Sequence, residues 1–208
     1  YGRLKGRKKI KSYNYVFFNN CIINLNQDIE KNKKIILDVG SGSGENTILL
    51  ATNNPDSLII ACEIFEDGNI NLSNNLYKLK INNIKLFNNN VLILFENLKI
   101  DDCFDEIWIL FPDPWPKKRH HKRRLVNNDF LITVYPLLKK QGKIFISTDS
   151  ISYLHSILNN VYVLGQKFKW NNDNPIGWTY KINELPNTKF FNKAKKMKRN
   201  SFFIELIK

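Results

Sequence analysis

The 208 residues, 43% of them hydrophobic, suit one domain with a sizeable core, and no apolar run approaches the length of a membrane span. A formal charge of +13 points to an anionic partner, and with no basic amphipathic helix carrying an aromatic face, a membrane surface is the weaker candidate. Cys21, Cys62 and Cys103 are odd in number, far apart and without C-x-x-C spacing, which argues against a disulfide framework or zinc site and for buried thiols in a reducing cytoplasm.

Asn, Lys and Ile recur along the whole chain, a background bias that carries no function and explains part of the excess Lys. No internal repeat and no signal-peptide pattern is visible. The chain opens on Tyr1 and not Met, which leaves room for a native N-terminus beyond it. Residues 1–12, YGRLKGRKKIKS, read as a flexible basic arm: a solvated tail, or a phosphate-binding arm using Arg3 and Arg7. Residues 13–30 mix aromatic and aliphatic positions and predict a short strand or helix on the core.

Lys34 to Ala51, KIILDVGSGSGENTILLA, is the first strong signal. Ile35, Ile36, Leu37 and Val39 predict a buried strand, Gly40, Gly42 and Gly44 a tight turn, and Ile48 to Leu50 a helix. The glycines let the backbone approach a ligand closely, and the helix N-terminus adds donors. The next strand, Leu58 to Cys62, ends at Glu63, about twenty residues beyond the turn, the spacing that holds a ribose by its hydroxyls. A dinucleotide fingerprint would need its third glycine at position 45, where this chain has Glu45. The denser D-x-G-x-G-x-G from Asp38 resembles the S-adenosylmethionine turn of Rossmann-like methyltransferases, in which the acid accepts from the cofactor's ammonium group.

The alternation continues with a helix over Asp67–Ile81, a strand over Ile84–Phe87, a short helix over Val91–Leu98 and a strand over Phe104–Phe111. Beyond these come a helix over Asp129–Leu138, a strand over Lys143–Thr148 and a helix over Ser150–Asn160. Tyr162–Lys208 then reads as strand, loop, basic helix and strand. Repeated β-α units predict an open sheet with helices on both faces, ligands lying at the C-terminal ends of the strands. That rule places Gly40–Gly44, Glu63, Asn90, Asp113 and Asp149 along one rim.

After the fourth strand comes FPDPWPKKRHHKRRL, Phe111 to Leu125. Three prolines stiffen a turn bearing Asp113 and Trp115, and a dense cationic run follows. A carboxylate and an indole suit a flat, hydrogen-bonding base. Lys117, Lys118, Arg119, Lys122, Arg123 and Arg124 suit a polyanion's phosphates. Base methyltransferases place similar acid–Pro–aromatic turns at this point. Guanine offers N1–H and N2–H₂ donors to carboxylates such as Asp113 and Asp149, and its N7 lone pair needs no general base. No Ser/His/Asp or Cys/His set suggests a triad, and His120 and His121 read as phosphate contacts or a solvated face, not a metal site. The run also fits a solvated loop or a localisation-like patch. A second basic group, Lys189 to Arg199, adds a further cationic segment that a folded RNA could meet.

The chain resembles the bacterial tRNA (guanine-N7)-methyltransferases over essentially its whole length. The matching elements are the YGRLKGR arm, LDVGSGSG, the strand end at Glu63, FPDPWPKKRHHKRRL, STD at 147–149 and NTKF at 187–190. The resemblance implies a class I methyltransferase fold, an open, mostly parallel seven-stranded sheet, with residues 13–208 as one domain. It implies methyl transfer from S-adenosylmethionine to N7 of the variable-loop guanosine (position 46) of tRNA, in the cytoplasm, with no membrane or obligatory protein partner. By similarity Asp113 is the catalytic residue. Asp38, Gly40, Gly42, Gly44, Glu63, Asn90 and Asp113 line the cofactor site, and Lys117, Asp149, Thr188, Lys189, Phe190 and Phe191 line the guanosine and tRNA site. Three positions depart from the family: Asn90 stands for an Asp, Phe191 for a Glu, and Asp38 for a Glu. The competing readings are a degenerate methyltransferase that binds RNA without turnover and, more remotely, a nicotinamide oxidoreductase.

Overall fold

The computed structural model describes residues 13–31, 34–171, 177–179 and 188–208. Arg3 and Arg7, in the basic arm, lie outside the described residues. The chain divides into two compact units, residues 1–100 and 101–208.

In the first unit, three parallel strands lie in the order β3 (Ile84–Phe87), β2 (Leu58–Cys62), β1 (Ile35–Val39). Every residue of β1 and β2 is buried, which is why both read as unbroken apolar runs and not as alternating strands. In β3 burial alternates, as in a strand covered more on one face. Ile36, Leu37, Ile59 and Ile60 are fully buried, each worth roughly 1.5–3 kcal/mol relative to exposure. Residues 13–30, open between strand and helix in the sequence, form α1 (Tyr15–Cys21) and α2 (Leu25–Lys31); the Asn14 side chain caps α1 by accepting from the Phe17 amide at 3.0 Å. Between the strands run α3 (Glu45–Asn53) and α4 (Glu66–Leu79), and α5 (Val91–Asn97) follows β3.

In the second unit the order is β4 (Phe104–Leu110), β5 (Leu138–Thr148), β7 (Phe202–Ile207), β6 (Lys169–Trp170). β4 and β5 are parallel, whereas β7 is antiparallel to both β5 and β6. The helices are α6 (Asn128–Leu137), α7 (Ile151–Val163) and α8 (Lys189–Lys196). The strands together make an open, seven-stranded, mostly parallel sheet with helices between them, the expected fold class.

Two expectations need correction. β5 begins at Leu138, not Lys143: Pro136 sits in the last turn of α6, and the chain extends directly out of it. The strand expected from Tyr162 begins only at Lys169, as β6, because α7 runs on to Val163. Tyr162 and Val163 have strand-like side chains, but Ile157 and Val161, four apart and both buried, carry the helical core face past Asn160. Among the described residues no helix is long and apolar enough to cross a membrane. The three cysteines are free and buried, and burial pushes the Cys103 thiol up to about 12, out of the reactive range.

Candidate functional site

The first unit gathers Asp38, the glycine turn and Glu63 at the C-terminal ends of β1 and β2. Gly40, Gly42 and Gly44 all have positive φ (71°, 58° and 84°), a backbone that other residues rarely adopt. The turn is tied down by its own amides: Gly40 N–H donates to the Cys62 carbonyl at 2.8 Å, and Gly42 N–H to Glu63 Oε2 at 2.9 Å. The other carboxylate oxygen of Glu63 accepts from Phe65 N–H at 2.8 Å. Glu63 therefore fastens the turn to the strand end, with lone pairs left for further donors.

Asp38 is almost fully buried, accepting from the Thr47 hydroxyl at 2.6 Å and the Asn46 amide at 3.1 Å. Burial raises its pKa to about 6, outweighing those two hydrogen bonds, and nearby Glu63 and Glu45 add to the rise. No motif in the sequence points to Asn46, Thr47 or Gly68. A Cβ on Gly68 would lie 2.4 Å from the Gly42 carbonyl, so the first turn of α4 packs directly on the glycine turn. A glycine inside a helix is the available signal for that close approach.

Asn90 follows β3, exposed, and its Oδ1 accepts from Leu92 N–H at 3.0 Å to cap α5. Its amide oxygen is thus partly committed to the helix.

The turn also offers room. A Cβ on Gly40 would meet nothing within 4 Å, and the buried Ser41 hydroxyl beside it has no hydrogen-bond partner among the described residues. An open cradle over a glycine with an orphaned hydroxyl, an acid at the end of β2 and a buried acid in β1 fits a polar nucleoside-bearing ligand.

The second unit holds the acceptor-side candidates. Phe111 N–H donates to the Ser147 carbonyl at 3.0 Å, locking the end of β4 onto β5. Phe111 and Trp115 then take positive φ of 51° and 43°, strained values for aromatic residues, on either side of Asp113. Asp113 is exposed and, among the described residues, makes no hydrogen bond or ion pair. Trp115 is packed: Arg123 lies over its ring at 5.0 Å and His120 meets it edge-on at 5.9 Å. Lys118–Arg123 form consecutive 3₁₀ turns, with Lys117, Lys118, Arg119, Lys122 and Arg123 exposed.

Arg124 differs from the rest of the run. Only 3% exposed, it donates from Nε to the Pro114 carbonyl (2.9 Å), from Nη1 to the Ser152 carbonyl (2.9 Å) and from Nη2 to Ser152 Oγ (2.8 Å). The expected phosphate contact is therefore corrected here, because the whole guanidinium fork faces inward.

Asp149 follows β5 and pairs with Arg199 at 3.0 Å. Thr188 is buried and caps α8, accepting from Phe191 N–H at 3.2 Å. Lys189 and Phe190 are exposed on that helix, while the Phe191 ring lies 6.3 Å from Phe111 and 6.4 Å from Phe203. Phe191, expected on the guanosine side, thus joins an aromatic cluster. Among the described residues no group of three or more His, Cys, Asp or Glu is placed to hold a metal.

A family model described as "Putative methyltransferase" matches residues 32–204. The tRNA (guanine-N(7)-)-methyltransferase of Neorickettsia sennetsu is 31% identical over 164 residues, 76% of this chain and 71% of that protein. The chain belongs to the tRNA (guanine-N7)-methyltransferase family. Proteins of the same name from Hyphomonas neptunium and Wolbachia pipientis wMel are 36% and 37% identical over 142 and 144 residues, covering 68% and 67% of this chain. The match spans 64% and 65% of the length of those two curated relatives. Among solved structures, an rRNA methylase from Streptococcus thermophilus superposes with a TM-score of 0.56 at 17% identity, covering 93% of this family member and 92% of that chain. A Streptococcus mutans methyltransferase, solved in complex with SAH, gives 0.55 at 13% identity, covering 92% and 93%. At such identities these two likenesses show the fold.

Proposed function

We propose that this chain transfers the methyl group of S-adenosylmethionine to N7 of the variable-loop guanosine of tRNA, as a cytoplasmic enzyme. The observation that carries the reading is Asp113: an exposed carboxylate, without a partner among the described residues, on a strained turn after a parallel strand, in a member of this family.

The cradle over Gly40, the orphaned Ser41 hydroxyl and the two acids Asp38 and Glu63 fit the cofactor. Asp38 would face its ammonium group, Glu63 its ribose hydroxyls, and Asn90 its adenine amine through whatever acceptor capacity the cap leaves. Gly42 and Gly44 keep the turn in its left-handed backbone. When bound, S-adenosylmethionine supplies an electrophilic methyl on a sulfonium. Asp113 would accept from the base N–H donors, orienting N7 and favouring the positive charge that develops on the ring. N7 carries a free lone pair, so no side chain has to remove a proton. Asp149, held by Arg199, is a second acceptor for the base. Lys117, Thr188, Lys189, Phe190 and Phe191 would line the guanosine and tRNA side. The exposed Lys118, Arg119, Lys122 and Arg123, with Arg3 and Arg7 of the arm, would hold phosphate.

The test is incubation of tRNA with the cofactor followed by chemical cleavage at N7-methylguanosine. Cleavage at the variable loop supports the reading, and methylation elsewhere sinks it. Cofactor and tRNA binding without any methylation would leave the degenerate RNA-binding module, a reading favoured by Phe191 sitting in the aromatic cluster where the family has a carboxylate.

A further inference from the structure

We propose that Arg124 is a positioning residue that fixes the Asp113 turn against the start of α7, an inference that rests on the function proposed above. Pro114 is the residue after Asp113, and its carbonyl accepts from Arg124 Nε at 2.9 Å. Ser152 lies in the first turn of α7, three residues beyond Asp149, and receives two bonds from the same guanidinium, at 2.9 Å on its carbonyl and 2.8 Å on its hydroxyl. One planar fork thus joins the loop that carries Asp113 to the first turn of the helix that follows Asp149. The guanidinium also lies 4.9 Å over the Tyr153 ring, whose hydroxyl accepts from Val126 N–H at 2.8 Å. Both the edge and a face of the guanidinium are therefore held.

The Asp113 turn needs such a brace. Its flanking residues Phe111 and Trp115 have positive φ, and left-handed aromatic residues persist only where their surroundings over-determine them. Prolines 112, 114 and 116 have no amide to donate, so the turn has few bonds of its own. Its carbonyls remain as acceptors, and the Arg fork takes that of Pro114 together with two oxygens of Ser152. Arg123 has the opposite disposition, exposed and lying over the Trp115 ring at 5.0 Å.

The experiment compares wild type, Arg124→Lys and Ser152→Ala for kcat, KM, the salt dependence of tRNA binding, and the backbone NMR order parameters of Asp113, Trp115 and Lys117. Lys keeps the charge but not the fork, and Ser152→Ala removes one of the three bonds. For Arg124→Lys the expected result is a kcat reduced about tenfold or more, unchanged KM, an unchanged salt slope and lower order parameters at the turn, with a smaller change of the same kind for Ser152→Ala. Arg124→Gln adds the charge comparison. If a folded Gln variant lowers the salt slope by about 0.9, the value of one phosphate, while Lys restores wild-type turnover, Arg124 binds phosphate and the proposal is overturned. Unchanged order parameters in Arg124→Lys overturn it as well. If wild type methylates no guanosine, the functional reading fails, while the order parameters still decide whether Arg124 fixes the turn.

Discussion

Two turns follow two parallel strands, and they are made rigid in opposite ways. After β1, the backbone itself supplies the rigidity. Three glycines take the left-handed conformation at low cost, and their amides find a strand carbonyl and the Glu63 carboxylate within the same unit. After β4, aromatic residues take that conformation at a cost, prolines withhold donors, and a side chain ten residues beyond Pro114, that of Arg124, completes the bonding. A glycine turn leaves its surface open for a ligand to touch backbone. A turn braced from behind leaves a side chain, Asp113, exposed at its tip. The first arrangement suits binding, and the second suits presenting one acceptor in a fixed direction.

The largest effect that would test this contrast is at Asp113. Asp113→Ala should lower kcat by about 10²–10³-fold, the usual cost of removing one preorganised electrostatic group, with cofactor affinity measured by calorimetry unchanged. Loss of cofactor affinity of similar size would instead put Asp113 on the binding side. Replacing Lys117, Lys118, Arg119 and Lys122 by Ser should weaken tRNA binding by about 100-fold at low salt. The slope of log affinity against log salt should fall by roughly 0.9 for each phosphate no longer neutralised. An unchanged slope would make the exposed run a solvated loop.

Gly68→Ala attacks the first turn from behind. Its Cβ would meet the Gly42 carbonyl at 2.4 Å, so the turn must shift. Stability should drop by about 1–3 kcal/mol in urea unfolding and cofactor binding should weaken, while tRNA affinity of the folded protein should stay near wild type.

The smallest expected effect comes from Asp38, whose pKa burial raises to about 6. The folded acid holds its proton more tightly than the unfolded one. Its contribution therefore favours the fold at pH below the unfolded value, declines as pH rises towards about 6, and is constant above. An ammonium-bearing cofactor would favour the ionised form, so affinity should rise about tenfold between pH 5 and 7, with proton release detectable by calorimetry in two buffers. Asp38→Asn should flatten that profile. A profile already flat in wild type would remove Asp38 from contact with the ammonium group.

The sequence is most informative where function depends on neighbours along the chain. β1, β2 and β3 are legible from their apolar runs, and the glycine turn from the spacing of Gly40, Gly42 and Gly44. The end of α7 is misleading, because Tyr162 and Val163 have strand-like side chains while the buried face that extends the helix belongs to Ile157 and Val161. Asn90 and Thr188, expected from the sequence as ligand contacts, both cap helices, a backbone duty that depends on where the helix starts.

The amino-acid order by itself determined the strand–turn–helix alternation, the charge, and the two turns, because each rests on residue type and local period. Only the tertiary structure decided which cations face water. Arg123 and Arg124 are adjacent and chemically identical, yet one lies exposed over Trp115 and the other is buried on Pro114 and Ser152. Likewise Gly68 acquires its importance from a carbonyl 26 positions earlier, and Asp149 its partner from Arg199, 50 positions later. The physical reason is common to all three. The direction of a side chain in a dense run is set by where unpaired carbonyls, carboxylates and space are found once distant segments have packed, and no local pattern encodes that.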